Sequence, residues 1–203
     1  TASTGCTATT IQTITVGGFP TPAILPTPAC LGTATSLSDG SLSAPGDPIT
    51  SWNWSMPGGT PSADTTQNTS TLYTTTGAHT VTLTVTSQQG CKATINQQVL
   101  VYKLPVPDFS APDSGCSPVC VNYMDLSSST DGTLNDWQWT FTGGSPSNAT
   151  GQVPPQVCYN TPGNYSVSLT VTSQYKCKAS ITLPMIKVFP WPTADFCVTP
   201  PIQ

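Results

Sequence analysis

Two segments of the chain alternate strictly between apolar and polar positions. In residues 80–87 (TVTLTVTS), Val81, Leu83 and Val85 fall on one side and Thr82, Thr84 and Thr86 on the other. In residues 166–173 (SVSLTVTS), Val167, Leu169 and Val171 alternate with Ser168, Thr170 and Thr172. Period two is the signature of a strand with one buried face, and β-branched residues on the other face suit a pleated surface. A W-x-W pattern places Trp52 with Trp54, and Trp137 with Trp139, on one side of another strand. These ten residues form the predicted cores. QQG before Cys91 reads as a hairpin turn, and APGDP (44–48) and STDGT (129–133) as loops before the Trp strands.

The pattern is repeated. SWNWSMPGGTPS (51–62) recurs as DWQWTFTGGSPS (136–147), 85 residues later, and residues 80–87 recur after 86. Tyr73 with Gly77 matches Tyr159 with Gly163, and CKAT at Cys91 matches CKAS at Cys177. STGC followed by IQTITV copies the end of a unit, and PTADF (192–196) copies PVPDF (105–109), the start of one. Such self-similarity marks a tandem array. The expected organisation is the tail of one repeat (1–17), two whole repeats (18–102 and 103–189) and the head of another (190–203), as if cut from a longer protein. FPTP at Phe19 and KLPVP at Lys103 read as short, semi-rigid junctions. Seven or so strands in about 85 residues is the rhythm of an immunoglobulin-like sandwich.

Composition narrows the function. Charged residues are only 7% of the 203, with nine Asp, five Lys, no Glu and no Arg, and a net charge of −4. That balance supplies no basic face for nucleic acid. A helical bundle lacks its usual residues, and general acid–base catalysis has one His and no Glu to draw on. The eight cysteines form no CxxC pairs, so a disulfide framework in an oxidising compartment is expected rather than zinc. No stretch of eighteen apolar residues is present, so membrane insertion by this segment is not expected. Nucleophile elbows, phosphate loops and dinucleotide fingerprints are absent from the sequence.

The order P-x-[AP]-x-F, Cys, W-x-W, G-G-x-P-S, Y-x-x-x-G-x-Y-x-V-x-L-x-V and G-C resembles the PKD domain, the β-sandwich named for the polycystic kidney disease protein. It is most similar to the Cys-containing version in giant surface proteins of Bacteroidota, including adhesins linked to gliding. The resemblance covers essentially the whole chain and implies tandem immunoglobulin-like β-sandwiches, an all-β fold. It departs from the family where many members have W-x-F-G-D-G. Here Ser55, Met56, Pro57, Gly58 and Gly59 follow the first Trp pair, and Thr140, Phe141, Thr142, Gly143 and Gly144 the second. A role in binding cations or fixing the turn does not transfer with that missing Asp.

Each candidate site has a structural reading. His79 stands where the second repeat has Tyr165, so it is expected to bond backbone at the corner of the sandwich rather than to ligate metal or act as a base. The paired tryptophans could form a glycan platform but are expected to be core, and Trp191, in FPWPT, is expected to pack between domains. Asp125, Asp131 and Asp136, like Asp39 and Asp47, are expected in solvated turns. Calcium is the alternative, but the spacing lacks the alternation of calcium loops. No other cofactor is expected. Asn68 and Asn148 lie in sequons, as do Asn53 and Asn164 within strands, and Thr65 is a candidate for O-linked sugar.

Two disulfides are expected. Cys120 and Cys158 occur only in the second repeat, on strands that neighbour one another in an immunoglobulin-like sheet, so they should bond. The remaining cysteines follow each repeat's first strand (Cys30, Cys116) or open its last (Cys91, Cys177). If the first strand runs away from the preceding unit, these two positions lie at opposite ends, some 20–25 Å apart at about 3.3 Å per residue. Cys30 should then meet Cys177, with Cys6, Cys91 and Cys116 finding partners in neighbouring units. A switched first strand would instead restore Cys30–Cys91 and Cys116–Cys177. Cys197 has no counterpart. The expected function is a non-enzymatic spacer in a secreted, cell-surface repeat protein, forming a filament or adhesin stalk. Its partners are neighbouring repeats and other copies of the chain. The alternative is a glycan- or protein-binding accessory module of a secreted enzyme.

Overall fold

The computed structural model describes residues 9–13 and 16–194, without the side chain of Met185. Among the described residues there is no helix. The chain divides into two compact units, Thr1–Pro28 with Gly32–Val101, and Ala29–Leu31 with Tyr102–Gln203.

The first nine strands are β1 (Ile24–Pro26), β2 (Ala29–Cys30), β3 (Ala34–Asp39), β4 (Ile49–Ser55), β5 (Gly59–Thr60), β6 (Ala63–Asp64), β7 (Thr69–Tyr73), β8 (Gly77–Ser87) and β9 (Lys92–Tyr102). One sheet has the order β1-β3-β7-β5 and the other β2-β9-β8-β4-β6. Ile24 and Leu37 of the first sheet meet Trp54, Val81, Leu83, Val85 and Val99 of the second in one core. The alternation in β8 works as its period requires: Val81, Leu83 and Val85 are fully buried, with Leu83 opposite Trp54. On the outer face Thr82 donates to Asn96 at 2.7 Å, and the Thr84 and Thr94 hydroxyls meet at 2.9 Å. These cross-strand pairs hold the exposed face of the ladder.

The second nine strands are β10 (Phe109–Ser110), β11 (Ser114–Cys116), β12 (Val119–Val121), β13 (Met124–Asp125), β14 (Leu134–Phe141), β15 (Asn148–Thr150), β16 (Val157–Tyr159), β17 (Gly163–Ser173) and β18 (Lys178–Phe189). The larger sheet is β11-β18-β17-β14-β15, with pairs β12–β16 and β10–β13 beside it. All pairings are antiparallel except β11 with β18. Val167, Leu169 and Val171 are fully buried with Trp139, Phe141 and Tyr159.

Trp52 and Trp137 differ from the sequence expectation. Each packs against its core from a partly buried position, while Trp54 and Trp139 are essentially inaccessible. Trp52 and Trp137 stand next to the register shifts between Ile49 and Ser51 and between Leu134 and Asp136, where the ladder with the neighbouring strand is interrupted. The G-G-x-P-S motif also has a local explanation. Gly58 and Gly143 have φ of 79° and 70°, where a side chain is strained. A Cβ on Gly59 would collide with Thr71, and one on Gly144 with Val157.

The two cores are filled differently. Leu37, Met56 and Ile24 of the first unit stand where Tyr123, Phe141 and Phe109 cluster around Trp139 in the second. The Tyr123 and Tyr159 hydroxyls hydrogen-bond to each other at 2.8 Å in the interior. Tyr73, the counterpart of Tyr159, has a buried hydroxyl without a protein partner. Burial raises the pKa of all three phenols, so each stays neutral. Tyr159→Phe strands the Tyr123 hydroxyl and is expected to cost about 1–2 kcal/mol, whereas Tyr73→Phe is expected to be neutral or stabilising. Urea unfolding of the two variants checks this, and equal losses contradict it.

Candidate functional site: cysteine pairs and polar cradles

Cys120 on β12 and Cys158 on β16 are direct cross-strand partners. Their sulfurs are 2.01 Å apart and their Cα atoms 3.9 Å. The bond spans 38 residues, worth about 4 kcal/mol in the chain-entropy model. In the first unit the same register position is held by Ala34 opposite Leu72.

Cys30 is bonded to Cys177, with an S–S distance of 1.97 Å, a Cα separation of 5.5 Å and 147 residues between them in sequence. Cys30 lies in the Ala29–Leu31 segment, which is grouped with the second unit. Cys177 is fully buried. The bonds Cys30–Cys91 and Cys116–Cys177 do not form: Cys91 is a half-buried free thiol and Cys116 an exposed one. Cys6 and Cys197 lie outside the described residues.

The aspartates form polar cradles. Asp39 accepts the Trp52 indole N–H at 2.7 Å and the backbone N–H of Ser41 at 2.9 Å. Burial works against its ionisation, but hydrogen bonds from Ser41, Trp52 and Gln67 outweigh that and hold its pKa below the usual value. Asp125 accepts from Trp137 at 2.8 Å, so the arrangement recurs in both repeats. The buried Asp47 accepts from the Ser87 hydroxyl at 2.8 Å and the Gln89 N–H at 2.9 Å. Asp131 accepts the Lys103 N–H, and Asp136 the Gln138 amide. Several of these carboxylates are therefore parts of the framework, not the solvated turns expected from sequence. Among the described residues no group of three or more His, Cys, Asp or Glu could hold a metal ion.

Asp64 accepts from the Thr69 and Thr66 hydroxyls and the Thr65 and Thr66 backbone N–H groups. Hydrogen bonding, led by Thr69, lowers its pKa to about 2. His79 Nε2 lies 2.9 Å from the Thr75 carbonyl, and the Tyr165 hydroxyl donates to the Thr161 carbonyl at 2.8 Å. His79 stacks on Tyr73 at 3.9 Å between centroids, and Tyr165 lies against Tyr159 at 4.7 Å. Both residues tie a side chain back four residues to the loop before their own strand.

Asn68 accepts the Asp39 N–H through its side-chain oxygen, and the Asn148 amide donates to Ser147. Asn53 and Asn164 lie in β4 and β17, and Thr65 is exposed. Trp191, expected to pack at a junction, is 69% exposed. No described neighbour covers it, and residues from 195 onward lie outside the described part. The sequence reading missed the Asp–Trp bonds and the tyrosine pair. The signal for the first was present: Asp39 precedes Trp52, and Asp125 precedes Trp137, by nearly the same interval.

The family model of the PKD domain matches residues 20–101 and again 103–186. The chain belongs to the PKD domain family. No curated protein matches it. Among solved structures it is similar to the PKD1 domain of Vibrio anguillarum Epp, at 22% identity over 42% of this chain and 96% of that one, with a TM-score of 0.38. It is also similar to the fibronectin(III)-like modules of Clostridium thermocellum CbhA (11%, 85% and 94%, TM-score 0.44). A third similar structure is the Yersinia pseudotuberculosis adhesin InvE (10%, 80% and 58%, TM-score 0.28). PKD domains are in general non-catalytic modules. Two disulfides among the described residues are the mark of folding in an oxidising, extracellular setting.

The register match gives a direct test. Ala34→Cys with Leu72→Cys is expected to transplant the Cys120–Cys158 bond into the first PKD unit. Peptide mapping of the oxidised double variant should find the two introduced cysteines joined to each other, and two free thiols at those positions would contradict the register. Asp64 gives a second. Its folded pKa of about 2 is below the ordinary 3.8, so its contribution is complete above about pH 4 and is lost as pH falls toward 2. Asp64→Asn should lower stability at pH 7 and flatten the acid limb between pH 4 and 2. An unchanged acid limb in thermal melts would contradict this.

Proposed function

We propose that the chain is a structural segment of a long secreted cell-surface protein, in which PKD units serve as stiff spacers in an adhesin stalk or extracellular filament. The observation that carries this reading is the Cys30–Cys177 bond, which ties one sequence repeat to the next. A loop of 147 residues closed in the unfolded state is worth about 5 kcal/mol in the chain-entropy model. A covalent tie between consecutive repeats suits a load-carrying array more than a loose tether. Each unit has its own core, so reach grows with the number of repeats. The outer faces of both long sheets are lined with hydroxyls already paired across strands, as with Ser168 and Thr182 or Thr170 and Ser180. With charged residues at 7%, copies can approach side by side with little repulsion. Giant surface proteins of gliding Bacteroidota are the setting that the motif order implies.

One observation favours the second reading, a glycan-binding accessory module: the exposed Trp191 offers an aromatic face. Both readings are tested together. Antibody to this chain, applied to the native cell surface and viewed by electron microscopy, should decorate long fibres. Polysaccharide arrays probed with the chain should show no saturable binding. Label confined to a compact secreted enzyme, with glycan binding lost in Trp191→Ala, overturns the spacer reading in favour of the module.

A further inference from the structure

Each of the two free thiols among the described residues occupies the place that a bonded cysteine holds in the other repeat. Around Cys91, the Ser87 N–H donates to the Cys91 carbonyl and the Gly90 N–H to the Ser87 carbonyl, both at 2.9 Å. Around Cys177, Ser173 donates to Cys177 at 2.8 Å and Lys176 to Ser173 at 2.9 Å. The turn residues Gly90 and Lys176 share a left-handed φ, 85° and 67°. Cys91 and Cys177 thus leave the same hairpin in the same way. Cys116 and Cys30 also share a setting. The residue after each donates its backbone N–H to the last strand of its own repeat, Ser117 to Phe189 at 2.9 Å and Leu31 to Tyr102 at 2.8 Å.

The Cys30–Cys177 bond establishes which kind meets which: a first-strand cysteine of one repeat takes the hairpin cysteine of the repeat that follows it in sequence. We infer that Cys91 and Cys116 are complementary half-sites of the same head-to-tail disulfide, with other units of this repeat as their partners. Cys116 takes the hairpin cysteine of a following unit, and Cys91 takes the first-strand cysteine of a preceding one. The inference deepens the spacer reading by naming its partner. The counterpart of each thiol is bonded in this same chain. Because the half-sites are complementary, a second copy of the chain can supply either one. In each bond two thiols lose two protons and two electrons to a small disulfide such as oxidised glutathione, which leaves as two thiols.

The test uses the chain carrying Cys6→Ser and Cys197→Ser, so that only Cys91 and Cys116 remain unpaired, in a glutathione redox buffer. A ladder of covalent oligomers linked through Cys91–Cys116 is expected on non-reducing gels. Adding Cys91→Ser or Cys116→Ser should leave either variant monomeric alone, with dimers appearing only when the two are mixed. Intact Cys30–Cys177 and Cys120–Cys158 bonds in the peptide map verify that each variant has folded. A tandem chain, residues 1–189 followed by residues 18–189, removes the need for an encounter between molecules. There Cys116 of the first copy should be joined to Cys91 of the second. Dimers formed by a single variant on its own, or free thiols at both positions in the tandem chain, overturn the inference. Fibres labelled along their length without this cross-link would leave the spacer reading standing and remove this inference alone.

Discussion

A tryptophan buried at the centre of each unit sets the terms for the structure around it. Trp54 and Trp139 are almost wholly removed from water, yet each has an indole N–H that needs an acceptor. The chain supplies one by curling back twelve residues later. The Thr66 carbonyl accepts from Trp54 at 2.9 Å, and the Gly151 carbonyl accepts from Trp139 at 3.0 Å. That requirement fixes the path after the Trp strand. The double glycine makes the tight turn, and β6 or β15 returns alongside the same strand. The flanking Trp52 and Trp137 meet the same need at the margin of the core through Asp39 and Asp125. Four indoles are therefore satisfied by two devices, each used once per repeat.

With this frame in place, the interiors diverge freely. The first unit fills its core with aliphatic residues and methionine, and the second with a cluster of aromatic rings. Volume-conserving exchange is tolerated where backbone and pattern are kept. Polar groups are less forgiving: exchanging Tyr123 for Leu37 leaves the Tyr73 hydroxyl without the partner that Tyr159 has. The added disulfide of the second unit joins β12 to β16, the strand that carries Tyr159. The corner before β8 and β17 is held in both units by a ring tied to the preceding loop, and a histidine serves as well as a tyrosine because both bring a polar tip to a backbone carbonyl.

Much of this was legible in the sequence because it rests on local rules. Strict alternation placed Val81, Leu83, Val85, Val167, Leu169 and Val171 on one face, since a pleated strand offers only two faces and one must be apolar. The repeat made every assignment twice and so identified His79 as the counterpart of Tyr165. W-x-W likewise put two tryptophans on one face, but periodicity carries no information on how far along a strand the core extends. Trp52 and Trp137 therefore came out at its margin. Solvated aspartates were expected because composition describes residue types and not partners, and the acceptors for indole N–H groups lie twelve or thirteen residues away in sequence.

The long alternating strands and their buried faces were legible because each depends on neighbours within a few residues, and the division into repeats because the pattern occurs twice. Which carboxylate meets which indole, and which tyrosine hydroxyl finds a partner, depended on contacts made by the folded chain. Strand order pointed Cys30 to Cys177 rather than Cys91, on an assumed direction of the first strand, and that bond is present. The choice between Cys91 and Cys177 turns on where the first strand delivers its end, and a disulfide needs its Cα atoms within about 7 Å. Proximity of that kind is a property of the folded chain, and at 147 residues' separation it follows from the order and direction of the strands rather than from any local pattern.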